Sequence, residues 1–305
     1  MIWLSDPQAA PRDPNVVYSR GKGCAELAEL LSPSATRVGG DLNTACIDAR
    51  ADVLVARKPP ASFSLVHVAS PIDFDRDAVT AVVAAVAGGP HSEFNVQLSN
   101  HLARRLEVEV IIASAVYGDA ESVVTDEIVA RLGEWAPAAK QLSVAAADPA
   151  DFVQNLPEGS LLVLGEAGGS LLTRTVFGPG ARLRASAKGG AVIVRAAPVR
   201  VFQMMEEPLF VSPLHFAGDS RLLHRDQRLA VVDGGRLVGI VEQETLRAAD
   251  AGMTVDSLMK EPRSLSAEMS LVEAASTLGE EGPWPVVDTD GHMIGTYHQT
   301  GVGPR

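Results

Sequence analysis

The chain has 305 residues, of which 46% are hydrophobic and 21% charged, a balance typical of folded proteins long enough for two or three domains. Its formal net charge of -12, with no Lys/Arg-rich tract, argues against nucleic acid and anionic membranes as partners. Two cysteines without C-x-x-C spacing and seven scattered histidines predict neither a disulfide framework nor a metal site.

The first 78 residues are predicted to form a short α/β extension. The opening MIWLSDPQAAPRDP has no basic leader, and no apolar run is long enough to span a bilayer, so we expect a cytoplasmic protein. NVVYSR, ADVLVA and SLVHVAS indicate strands, and CAELAELL indicates a helix. The last two of these strands resemble the end of the next domain, which suggests an abbreviated copy that extends or flanks its sheet.

The turn SRGKGC, from Ser19 to Cys24, follows a predicted strand and opens a helix. It is therefore a candidate phosphate loop, although its short length is also typical of a plain βα turn.

Residues 79–197 are predicted to form an α/β domain. Strand-like runs occupy 79–86, 108–116, 141–147, 160–165 and 191–196, and helical patterns occupy 93–106, 121–135, 149–156 and 179–188. Five strands alternating with four helices indicate a five-stranded parallel, doubly wound sheet. Ligands of such sheets bind beyond the carboxyl ends of the strands, where the strand order reverses.

Residues 198–305 follow a different pattern and are predicted to form a separate α+β domain. AVVDGGRLVGIV (230–241) returns as PVVDTDGHMIGTY (285–297), an internal repeat of two copies. Asp233-Gly234-Gly235 and Asp290-Gly291 supply turn residues, so each copy is predicted to be a β-hairpin.

Residues 79–197 resemble a universal stress protein domain. Nucleotide-binding members carry a glycine, two residues, a second glycine, nine residues and a third glycine, and Gly165, Gly168 and Gly178 have this spacing. The resemblance implies an ATP site formed by this loop, with Gly180, and by Ala87 and Gly88 in the turn after the first strand.

Two departures bear on that implied site. Ala87 stands where ATP-binding members have an aspartate, and Pro179 stands where they have serine or threonine. Proline lacks a hydroxyl and an N–H, although it is favoured in the first turn of a helix. The backbone N–H groups of Gly178 and Gly180 remain available to an anion, with Arg174 or Arg182 as candidate counter-charges. The glycines could equally serve tight turns and close packing.

Residues 198–305 resemble a tandem pair of cystathionine-β-synthase (CBS) domains, a regulatory module that often senses adenine nucleotides. The second copy shows the family's order of helix, strand, helix and hairpin, and the first copy is shortened. The ribose-binding positions of the family hold Glu242 and Thr245 in one copy and His298 and Gly301 in the other. Arg221 and Arg225 belong to a cationic stretch that could bind an anion instead, or could form a solvated helical face.

The sequence contains no G-x-S-x-G motif and no Walker-type lysine, and we predict that the chain is not an enzyme. We expect a non-catalytic stress-sensing or energy-sensing regulator that binds a small anionic ligand, with ATP or AMP as candidates. The alternative is a dimeric interaction scaffold whose nucleotide sites are degenerate. Both resemblances imply a homodimer.

Overall fold

The structure is a computed structural model, and it describes residues 13–60, 62–116, 122–146, 149–166, 187–223, 228–278 and 282–298. The chain divides into two compact units, Met1–Ala197 and Pro198–Arg305. The predicted helix at 179–188 lies almost entirely outside the described residues.

The first unit contains a nine-stranded sheet with the order β2-β1-β3-β4-β9-β8-β5-β6-β7. Its strands are β1 (Val16–Tyr18), β2 (Thr36–Arg37), β3 (Val53–Val55), β4 (His67–Ile72), β5 (Ala81–Ala85), β6 (Glu109–Val116), β7 (Lys140–Ala145), β8 (Ser160–Gly165) and β9 (Ala191–Arg195). The helices described in this unit are α1 (Cys24–Leu31), α2 (Leu42–Asp48), α3 (Ser92–Leu106), α4 (Ser122–Gly133) and α5 (Pro149–Gln154).

The predicted α/β fold class is confirmed, and β9-β8-β5-β6-β7 are the five predicted strands in parallel pairing. The sheet is larger than predicted because four earlier strands extend it through an antiparallel pair of β4 and β9. In β3 all three residues are fully buried, so this strand needs neighbours on both faces and both edges. We refer to the β4–β9 pair as the seam.

The core continues across the seam. Leu27 and Leu31 of α1 belong to the same buried cluster as Leu98 and Leu102 of α3 and Val194 of β9. Each fully buried leucine contributes about 2 kcal/mol from the removal of apolar surface from water. Residues 13–72 are therefore packed into the same hydrophobic core as the strands that follow.

The second unit has two small sheets of the same plan, β10-β11-β12 and β13-β14-β15. In each sheet the first pair is parallel and the second is an antiparallel hairpin, as predicted for both copies of the repeat. Its elements are α6 (Val201–Met204), β10 (Phe210–Val211), α7 (Ala217–Leu223), β11 (Arg228–Asp233), β12 (Arg236–Glu242), α8 (Gln243–Ala248), β13 (Leu265–Ser266), α9 (Leu271–Thr277), β14 (Trp284–Val287) and β15 (Met293–Tyr297).

None of the helices in the described part of the chain has the length and apolar character that a bilayer span requires.

Candidate functional site

The strand order of the first unit reverses between β5 and β8, and we refer to the region beyond the carboxyl ends of these strands, where ligands of such sheets bind, as the crevice. Asn95, a buried residue of α3, contacts both strands near their carboxyl ends. Its Nδ2 donates to the carbonyl oxygens of Ala85 at 2.8 Å and Val163 at 3.0 Å. One side chain therefore bridges two strands that are already paired and fixes the position of α3 on them.

The loop after β5 carries Ala87 and Gly88, both exposed as a ligand loop requires. Gly88 has a φ of +73°, and a Cβ at this position would lie 2.9 Å from Cδ1 of Ile128 in α4. Glycine is thus needed here for the turn and for close packing of α4. The turn and the packing therefore explain a glycine at position 88 without a ligand.

Gly165 is the last residue of β8 and permits a close approach by His91, because a Cβ at Gly165 would lie 3.2 Å from the Cβ of His91. Gly168, Gly178, Gly180 and Arg225 lie outside the described residues, as do Pro179, Arg174 and Arg182. Their part in a phosphate loop stays a prediction.

Arg221 in α7 is engaged in holding a neighbouring helix. Its Nε donates to the carbonyl oxygen of Leu246 at 2.5 Å, and its Nη2 donates to that of Ala249, at the end of α8. A cation at this end of a helix satisfies carbonyls that lack intrahelical partners. The structure thus assigns the predicted anion-binding side chain a capping contact, and Arg221 is not among the residues that line the cavity described next.

A cavity of about 380 Å³ lies within the second unit. Its described lining joins the two copies of the repeat: β11 contributes one residue, and the second copy contributes the rest. The lining residues are Arg228, Arg263, Ser264, Leu265, Thr277, Leu278 and Trp284. This volume is within the range of small-molecule sites, roughly 300–1,000 Å³.

Arg228 is held in the cavity wall by two contacts. Its Nε donates to Oε1 of Glu242 at 3.1 Å, and its guanidinium carbon lies 4.6 Å from the centre of the Trp284 ring. The ion pair and the stacked ring fix the plane of the guanidinium before any ligand arrives.

Two buried donors in this wall have no hydrogen-bond partner among the described residues, Nη1 of Arg228 and Nε1 of Trp284. Trp284 is only 7% exposed, so its indole N–H has little access to bulk water. An unsatisfied buried donor costs about 1–3 kcal/mol, which an acceptor in the cavity would recover. The wall therefore offers donors and positive charge, the complement of an anion.

Asp288, Asp290 and His292 form a cluster in which one potential metal-ligating atom of each residue lies within 4.8 Å of the others. Its contacts are those of the turn between β14 and β15, since Asp288 Oδ1 accepts from the backbone N–H groups of Asp290 at 2.9 Å and His292 at 2.8 Å. These hydrogen bonds lower the pKa of Asp288 although its burial acts in the opposite direction. The cluster is explained by the hairpin turn.

No family model and no curated protein matches the sequence. Among solved structures, a universal stress protein in complex with cAMP is 24% identical, with a TM-score of 0.30, over 38% of this chain and 96% of its own. The CBS domains of a transcriptional regulator from Streptococcus pneumoniae are 16% identical, with a TM-score of 0.31, over 33% of this chain and 92% of their own. Parts of this chain are therefore similar to a universal stress protein and to CBS domains.

The cytosolic domain of the Mg²⁺ channel MgtE, solved in complex with ATP, covers 70% of this chain and 83% of its own, with 16% identity and a TM-score of 0.31.

The sequence did not point to Arg263 or Trp284 in the CBS-like unit. Arg263 stands in a loop where nothing marks a single cation, and Trp284 reads as the first residue of a buried strand. The repeat gave a signal for their position, since the cleft between two such copies is where a shared cavity would form. In the stress-protein-like unit, Asn95 was hidden within an amphipathic helix as one polar residue among several.

Proposed function

We propose that the chain is a non-catalytic, cytoplasmic regulatory protein that binds a small anionic ligand, with the adenine nucleotides ATP and AMP as first candidates. The ligand would shift the population of dimer or domain arrangements, because a ligand favours the arrangement that it binds more tightly. The cavity of the CBS-like unit, with its two unsatisfied buried donors, is the observation that carries this proposal.

The chemistry of the lining supports an anion. Arg228 and Arg263 provide two guanidinium groups, of which that of Arg228 is paired with Glu242, and no carboxylate belongs to the described lining. Bidentate arginine is well shaped for phosphate and carboxylate groups. Leu265, Leu278 and Trp284 add apolar surface that could cover the base of a nucleotide.

The same lining supports a non-catalytic role. Its hydroxyl groups belong to Ser264 and Thr277, and neither a histidine nor a cysteine is present among its described residues. The Thr277 hydroxyl donates to the carbonyl oxygen of Glu273 at 2.8 Å. An activated nucleophile needs an adjacent base, and this wall supplies none.

The homodimer forms part of the proposal. Large hydrophobic side chains are exposed in the CBS-like unit, among them Phe210, Leu214 and Phe216. A cluster of such side chains is typical of a surface that is covered by a partner. A second copy of this chain is the partner that we propose.

The proposal is tested by native mass spectrometry and titration calorimetry of the intact protein with ATP, ADP and AMP. We expect dimers that take up one nucleotide per cavity, and a change in Trp284 fluorescence on binding. Arg228→Gln and Arg263→Gln should each weaken binding by about tenfold or more, since a hydrogen bond to a charged group contributes about 1.5–3 kcal/mol.

Arg236→Gln is the matched control, because Arg236 is exposed at the start of β12 and does not line the cavity. Its affinity should equal that of the wild type. Nucleotide binding that neither cavity variant weakens would place the site elsewhere. A dimer that stays empty at millimolar nucleotide would favour the interaction scaffold.

A further inference from the structure

The segment by which the chain leaves the first unit, residues 195–197, is held by four side chains. They are His67, His91, Glu166 and Arg195, and together we call them the exit clamp. They come from the start of β4, the loop before α3, the residue after β8, and the end of β9. The contacts of the clamp lie within the first unit.

The two histidines hold consecutive backbone amides. Nδ1 of His91 accepts from the N–H of Ala196 at 3.0 Å, and Nδ1 of His67 accepts from the N–H of Ala197 at 3.0 Å. Each ring must therefore carry a lone pair on Nδ1 and its proton on Nε2. A protonated imidazolium has a proton on both nitrogens and cannot accept, so either contact exists only with a neutral ring.

Glu166 holds Arg195, the residue that precedes Ala196 and Ala197. The guanidinium of Arg195 makes a two-point contact with the carboxylate of Glu166, including Nη2 to Oε1 at 2.6 Å. Its Nη1 also donates to the carbonyl oxygens of Pro60 at 3.1 Å and Phe63 at 2.8 Å. The ion pair and these two hydrogen bonds fix the side chain of Arg195.

The charged groups that face the histidines are few. His91 faces Glu166, which favours its charged form, and Arg195, which disfavours it, and burial makes the net effect a lowered pKa. His67 is stacked on Phe94 with ring centres 4.4 Å apart. Burial, together with the charge of His91, lowers the pKa of His67 to about 4. On the β3 side, the carboxylate of Asp52 accepts the backbone N–H of Asn15 at 2.9 Å.

The clamp shares its loops with the crevice of the stress-protein-like unit. His91 ends the loop that begins at Ala87, and Glu166 directly follows Gly165. The N–H of Glu166 also donates to the carbonyl oxygen of Val194 at 2.7 Å. A displacement of His91 or of Glu166 therefore acts directly on the exit segment.

We propose that His67 and His91 form an acid-released clamp, in which the neutral rings hold the backbone of Ala196 and Ala197 and protonation of either ring releases the amide that it holds. The clamp couples the pH, and the position of the two crevice loops, to the segment that leads into Pro198. It does not depend on the proposed nucleotide site in the second unit.

The sign of the pH effect follows from linkage. The clamped rings bind protons less readily than exposed ones, so acid favours the open segment. For an opening that also exposes the His67 ring, so that its pKa rises from about 4 to the ordinary value near 6.5, the opening constant for Ala197 should rise about twentyfold between pH 7 and pH 5.

The test is amide hydrogen exchange of the intact protein, read at Ala196 and Ala197 as protection factors between pH 7.5 and pH 5. His67→Asn and His91→Asn supply an acceptor near the position of Nδ1 that does not titrate. We expect wild-type protection at Ala197 to fall about twentyfold with acid and the fall to vanish in His67→Asn. His91→Asn should remove the corresponding fall at Ala196.

His101→Gln is the control, because His101 is also buried but its Nε2 contacts the carbonyl oxygen of Leu31 at 2.7 Å and not an amide of the exit segment. It should leave the pH dependence at both amides unchanged. Protection that is flat with pH in the wild type would overturn the proposal. A fall in protection with acid that persists in both asparagine variants would also overturn it. The nucleotide titration is independent of either outcome.

Discussion

Gly190 is the residue on which closure of the seam depends. Its φ is +88°, and a Cβ there would lie 2.5 Å from the carbonyl oxygen of Asp73, in the loop after β4. Side chains rarely adopt this backbone conformation, and a carbonyl of the backbone cannot yield as a flexible side chain can. Gly190 therefore lets the chain enter β9 directly beneath the end of β4.

We predict that Gly190→Ala lowers the free energy of unfolding by about 2–4 kcal/mol, because strain at positive φ adds to the backbone clash. Urea unfolding followed by circular dichroism measures it. Gly89→Ala is the control, since no atom lies within 4 Å of the site of its Cβ, and its effect should stay within about 0.5 kcal/mol. Equal effects of the two substitutions would contradict this account of Gly190.

Helix α9 shows how a local sequence signal supports the cavity. Ser270 Oγ accepts from the N–H of Glu273 at 3.2 Å, and Glu273 Oε2 accepts from the N–H of Ser270 at 2.9 Å, which is a capping box. The helix that begins here ends at Thr277 and places Thr277 and Leu278 in the cavity wall. The cap thus fixes one side of the proposed ligand site.

Ser270→Ala should destabilise the second unit by about 1 kcal/mol, the usual effect of losing an N-cap, whereas Ser270→Thr should retain most of the stability. Thermal unfolding of the two variants makes the comparison. Hydrogen bonds from Ser270 lower the pKa of Glu273, so the stability linked to this carboxylate is present above its unfolded pKa. It is lost as the pH falls through the folded pKa, and Ser270→Ala should reduce that acid dependence, because it removes the hydroxyl donor and keeps the backbone N–H.

The seam relates two sets of strands in the same order. Outward from the seam, one side has β9, β8, β5, β6 and β7, and the other has β4, β3, β1 and β2, so the two sides can be compared over four strands. On each side, the strand at the seam is the last of its set in chain order, and its neighbour is the second to last. The next two strands outward are the first and the second of the set in chain order. This agreement supports the interpretation of residues 1–78 as an abbreviated copy, which stays a prediction, as does the boundary at residue 78.

At the scale of the whole molecule, the two compact units predict two unfolding transitions. A nucleotide that binds in the cavity should raise the free energy of unfolding of the second unit only, by about 2.7 kcal/mol when the free nucleotide concentration is about 100 times Kd. Scanning calorimetry with and without ATP or AMP measures this, and Arg228→Gln should reduce the shift by about half or more. One transition that moves as a whole would contradict independent unfolding of the units.

The sequence by itself determined the two hairpins and the elements that the structure describes within residues 79–197. Periodicity and turn residues are local properties, so the predicted helix at 93–106 is found at Ser92–Leu106, and the predicted strand at 160–165 at Ser160–Gly165. The α/β class followed because alternating strands and helices have few ways to bury both faces of a sheet.

Only the tertiary structure decided which chemistry-bearing residues meet. Arg228 and Trp284 are 56 positions apart and reach one cavity wall through pairing within two separate sheets. The nine-stranded sheet and the exit clamp likewise depend on β4 lying beside β9, more than 100 residues later in the chain. Such contacts arise from long-range packing of buried surfaces, which leaves no periodic or local signature in the amino-acid sequence.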